Sequence, residues 1–73
     1  MKYIKDCKEG DIFSYCGKVY KIYNICAPKG SYTQVYVHSL NDKDEWIKEQ
    51  YPKNYSQDVR VRLLGFSKDY IIV

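Results

Sequence analysis

Three thiols and one imidazole are the groups in this chain most able to do covalent or metal chemistry, and their spacing argues against both. Cys7, Cys16 and Cys26 lie nine and ten residues apart, and His38 is the lone histidine. Zinc sites draw on close pairs such as Cys-x-x-Cys, and nucleophilic catalysis needs a thiol or hydroxyl held beside a base. Neither pattern occurs. The carboxylates Asp42, Asp44, Glu45 and Glu49 crowd a stretch where helix capping accounts for them, and Gly30 sits in a loop without the spaced glycines of a phosphate cradle. The sequence therefore predicts a protein that is not an enzyme, with no metal site and no cofactor.

Recognition is better represented. In "DVRVRLLGF", residues 58–66, Val59, Val61 and Leu63 alternate with Arg60 and Arg62. A strand here turns three aliphatics inward and two guanidinium groups outward. Tyr36 and His38 alternate with Val35 and Val37 in the same way, and Lys21 and Tyr23 oppose Tyr20 and Ile22. Lys21, Tyr23, Tyr36, His38, Arg60 and Arg62 are thus expected on one outer face as a partner- or ligand-binding surface. Lys29, Gly30 and Tyr32 of the "PKGSY" loop form its rim. Cations interleaved with rings suit phosphate pairing with base stacking, and equally suit protein contact. The same alternation also arises on any solvent-facing sheet, where arginines discourage strand-to-strand aggregation.

The elements that must hold these groups are short. The 73 residues make a single domain, 1–73, near the size at which one core only just outweighs chain entropy. Hydrophobic residues are 45% and charged ones 29%, a balance that predicts folding. Nine tyrosines, two phenylalanines and one tryptophan exceed what so small a core encloses, so some tyrosines must face outward. The net charge of +3 permits nucleic-acid contact without demanding it, and disfavours an acidic DNA mimic. Lysines and Asp6 interrupt every early apolar run and nothing approaches a membrane span, so no membrane association and a reducing cytoplasmic setting with free thiols are expected.

Gly10-Asp11 turns into the strand "IFSY", and Gly17 supplies the positive φ of a tight hairpin leading to "VYKIYNICA". In that second strand Tyr20, Ile22 and Cys26 are expected on one face and Val19, Lys21, Tyr23 and Ile25 on the other. The apolar content of both faces suggests a strand passing between sheets at a barrel corner. "PKGSYT" breaks the pairing and "QVYVHSL" resumes it. Asp42 with Glu45 resembles a capping box, Trp46, Ile47 and Tyr51 can share a helical side, and Pro52 ends the run. A helix over 42–51 is therefore expected, plugging the barrel with Trp46 and Ile47 or acting as a lid. "YIIV" should pair as a last strand.

The expected fold is all-β, a small five-stranded SH3-like barrel with one short helix between strands 3 and 4. Residues 9–40, "EGDIFSYCGKVYKIYNICAPKGSYTQVYVHSL", resemble the SH3-like (KOW-type) domain that opens elongation factor P and its relatives. Both run from a glycine-led strand through a Gly-centred hairpin and an aromatic-x-aliphatic strand to a Pro/Gly loop and a Val-rich strand. That family displays, just after the loop glycine, a lysine that is modified to reach the ribosomal centre. Here Ser31 follows Gly30 and Lys29 precedes it, and the family's oligonucleotide-fold domains are missing, so the translation role is not carried over.

The expected function is a non-enzymatic binding module: a protein-binding accessory or inhibitor, in the style of phage and mobile-element proteins, docking through its Tyr/Arg/Lys face. The alternative is binding of nucleic acid or a nucleotide messenger by the same face. A homodimer is a further expectation, since a chain this short gains stability from a symmetric partner.

Overall fold

The computed structural model describes residues 1–66, with Phe66 as backbone only. The elements are β1 (Lys2–Tyr3), a single 3-10 turn (Ile4–Asp6), β2 (Asp11–Tyr15), β3 (Lys18–Ile25), β4 (Tyr32–Leu40), β5 (Trp46–Lys48), β6 (Lys53–Ser56) and β7 (Arg60–Phe66). All pairing is antiparallel, in the order β1-β7-β2-β3-β4-β5, with β6 also on β4. The all-β class is as expected. Among the described residues the ladder does not close, so the expected closed barrel is replaced by a rolled, open sheet. The strand expected at 70–73 lies outside the described residues.

Side chains draw the roll together where hydrogen bonds do not. Ile4, Phe13, Ile22, Val35, Val37 and Val61 form the buried centre, joined by Cys7, Tyr20 and Tyr55. Tyr55 of β6 meets Phe13 and Tyr15 of β2 edge-on, with ring centroids 6.2 and 5.4 Å apart. These residues come from opposite parts of the strand order, so T-shaped ring contacts, each worth about 0.5–1.5 kcal/mol beyond area burial, span the concavity.

The turns follow local chemistry. Cys16 (φ 53) and Gly17 (φ 78) both take positive φ between the paired Tyr15 and Lys18, the pattern of a type I′ hairpin. Gly30 (φ 59) opens a second tight turn, closed by reciprocal bonds between Lys29 and Tyr32 of 2.9 and 3.2 Å. Gln57 fastens this turn by donating its side-chain amide to the carbonyls of Gly30 (3.0 Å) and Tyr32 (3.3 Å).

No helix forms over 42–51. Asn41 Oδ1 accepts from the backbone N–H groups of Lys43 and Glu45, both at 2.9 Å, and Asp44 sits at φ 59. The Asp44 N–H reaches the Asn41 carbonyl and the Asn41 N–H reaches that of Glu45, which closes a three-residue hairpin loop. Leu40, Ser39 and His38 then pair with Trp46, Ile47 and Lys48. A helix stopped by Pro52 would be too short to repay its nucleation, whereas β4 offers a ready template for Trp46 and Ile47. Ile47 is 48% exposed, so it plugs nothing.

Two register shifts alter the expected faces. In β3, Ile22 opposes Val37 but Asn24 opposes Tyr36, leaving Tyr23 as the extra residue of a bulge. The shift returns Ile25 to Val35 and to the core, while the Cys26 thiol faces Gln34 at 3.8 Å, the reverse of strict alternation. It also explains the apolar content of both faces without a barrel corner. In β7 a shift makes Leu64 the extra residue between the Gly65–Ile12 and Leu63–Phe13 pairs; Leu63 and Leu64 are each 41% exposed, so of the three expected inward aliphatics only Val61 is fully buried.

Candidate functional site: a lysine-covered aromatic face

Three neighbouring strands build this face. The register aligns Lys21 of β3, His38 of β4 and Lys48 of β5 in one row across the sheet. Tyr23, raised on the β3 bulge, sits with its ring centroid 5.0 Å from His38 and 5.9 Å from Tyr36. The lysines then cross over the histidine in opposite directions. Lys21 reaches the Trp46 ring at 5.1 Å, and Lys48 reaches back to Tyr23 at 5.1 Å. Tyr23 and Trp46 are both half-buried, and each carries an ammonium group over its ring.

The electrostatics follow from this layering. Burial first, then the charges of Lys21 and Lys48, hold the His38 pKa below the usual imidazole value. Its Nδ1 is shielded from solvent and has no hydrogen-bond partner among the described residues. Both causes favour the neutral imidazole.

Of the residues expected from sequence, Lys21, Tyr23, Tyr36 and His38 are brought together. Arg60 and Arg62 share the face by register, since Arg62 opposes Ser14 and Arg60 opposes Tyr3, but they do not join the cluster. Strand β2, with buried Ile12 and half-buried Ser14, separates them from β3, a backbone gap of about 10 Å. Arg60 instead covers the Tyr3 ring at 5.7 Å, alongside Lys5 at 5.3 Å. Tyr32 lies along the same row of β4 as Tyr36 and His38. With exposed Lys29 and Gly30 it forms a rim about four residues, or 13 Å, away.

Trp46 and Lys48 belong to the site and were assigned to a helix by sequence reasoning. The signal that could have placed them is Asn41, whose side chain favours a closed turn at least as well as a helix start.

Among the described residues no group of His, Cys, Asp and Glu is arranged to hold a metal ion, and no helix is long and apolar enough to cross a membrane. Comparison of the chain with protein-family models, with curated proteins and with solved structures finds no match.

Proposed function

We propose that this chain is a small non-enzymatic binding module that docks onto a protein target through the face carrying Lys21, Tyr23, Tyr36, His38, Trp46 and Lys48. The carrying observation is the layering: an aromatic floor under two ammonium groups. A base-stacking platform needs bare ring faces, and here lysines cover Tyr23 and Trp46. The arrangement suits carboxylate side chains on a partner, which meet the lysines while the ring edges supply apolar contact.

The second cluster of cations and a ring at Tyr3 and Arg60 supports the same reading. Two charged foci separated by a single strand fit within the roughly 800 Å² that one partner contributes to a stable interface. The role is that of an accessory or inhibitor protein. The rolled sheet fits a partly opened SH3-like barrel, and three free cysteines fit a reducing compartment such as the cytosol.

Affinity capture from cells tests this with the wild-type chain and a Lys21→Glu/Lys48→Glu variant. The expected result is a nuclease-resistant protein partner that the charge-reversed chain fails to retain. Retention by both chains overturns the reading. Loss of the captured material on nuclease treatment, with steep weakening by salt, would instead assign the face to nucleic acid.

A further inference from the structure

The mouth of the rolled sheet carries a trough that shares none of the docking residues. Two adjoining hollows of about 520 and 460 Å³ have Lys18, Tyr20 and Lys53 as their common wall. Both lie within the roughly 300–1,000 Å³ typical of small-molecule sites. Beyond that wall the linings differ. One hollow is bordered by Tyr15 and Tyr55, the other by Ser39, Asn41, Asp42 and Glu49.

The charges in this trough are segregated rather than neutralised. Among the described residues no ion pair joins Lys18 or Lys53 to Asp42 or Glu49. The Lys53 ammonium lies over the Tyr20 ring at 5.0 Å, and Glu49 Oε2 accepts the Ser39 hydroxyl at 2.6 Å. Cations therefore occupy the middle, carboxylates one end and phenol rings the other. Carboxylates within the same depression repel phosphates and other dianions, and lysines at its centre repel simple amines.

We propose that the trough binds a small zwitterion of the α-amino-acid type bearing an apolar side group. The ligand carboxylate sits between Lys18 and Lys53, its ammonium group turns toward Glu49 and Asp42, and its side group packs against Tyr15 and Tyr55. Tyr20 forms the floor. Charge-assisted contacts at both ends set the polarity, and the rings reward an apolar body.

Calorimetric titration of the whole chain with L-phenylalanine tests the proposal, using phenylacetate as the analogue without the ammonium group and phenethylamine as the one without the carboxylate. Phenylalanine is expected to bind, with each analogue at least about tenfold weaker. Glycine, lacking the side group, is expected to be weaker too. Lys18→Gln/Lys53→Gln should abolish binding and Glu49→Gln should weaken it, while Lys21→Glu/Lys48→Glu leaves it unchanged. Absence of binding by both phenylalanine and leucine overturns the proposal, as does equal binding of phenylacetate or persistence in the double lysine variant. The analogue series on the wild-type chain stands whether or not a variant folds.

Discussion

The two faces of the β3–β4 ladder use the same residue types for opposite ends. On the inner face Tyr20 lies 5.4 Å from Phe13, and Phe13 meets Tyr55, so rings pack on rings and are buried. On the outer face Tyr23 and Tyr36 remain half-exposed, and Tyr23 is covered by Lys48. Burial raises the Tyr55 pKa well above the usual phenol value, with neighbouring Tyr20 and Tyr15 adding to it, whereas on the outer side burial and lysine charge depress His38. Tyrosine on this sheet is thus structural or adhesive according to which side the register assigns it.

Substitutions on the two sides should separate these roles. The largest effect is expected from Phe13→Ala, which empties the centre of the inner face and should cost about 3–5 kcal/mol in urea denaturation. A loss below about 1 kcal/mol would show that the inner rings do not close the roll. Thr33 is fully buried, and its hydroxyl has no hydrogen-bond partner among the described residues. Thr33→Val keeps the shape and should stabilise by about 1 kcal/mol; destabilisation would mean the hydroxyl is satisfied.

Smaller gains belong to the turns. Cys16 holds φ 53 in a hairpin that favours Asn-Gly, so Cys16→Asn should raise the denaturation midpoint by the equivalent of about 0.5–1 kcal/mol. On the outer face Lys21→Ala should change stability by no more than about 0.5 kcal/mol while weakening partner capture. A large stability loss there would make the lysine layer structural and erase the contrast between the faces.

The pH response of His38 is the finest test. Its folded pKa is depressed, so the folded state binds fewer protons than the unfolded one as pH falls below about 6.5. The contribution is full above that pH and is lost as pH drops through the folded value. Wild type should therefore lose stability between pH 7 and pH 5.5 more steeply than His38→Gln, as read by thermal unfolding in parallel buffers. Identical slopes would mean that the crossed lysines do not act on the imidazole.

Much of this was legible in the sequence, for identifiable reasons. Period-two alternation placed Lys21, Tyr23, Tyr36 and His38 together because β3 and β4 are consecutive and joined by a tight turn at Gly30. It could not show that β7 lies beyond β2, since strand order is decided by non-local packing, and so Arg60 and Arg62 were expected nearer than they are. Asp42 and Glu45 misled because acidic residues spaced for a helix cap serve a hairpin equally well once Asn41 takes the turn. The bulge was invisible for a related reason: its local residues are ordinary strand formers, and only the partner strand reveals the shift.

That extra residue at Tyr23 keeps the β3 chain in phase. A uniform zigzag over the same residues would swing Ile25 out to water and turn Cys26 inward, whereas deleting one position beside Tyr23 would remove the bulge and leave Ile25 opposite Val35. The segment therefore tolerates shortening by one residue better than lengthening: an inserted residue away from the bulge would invert the facing of the positions between it and the Gly30 turn.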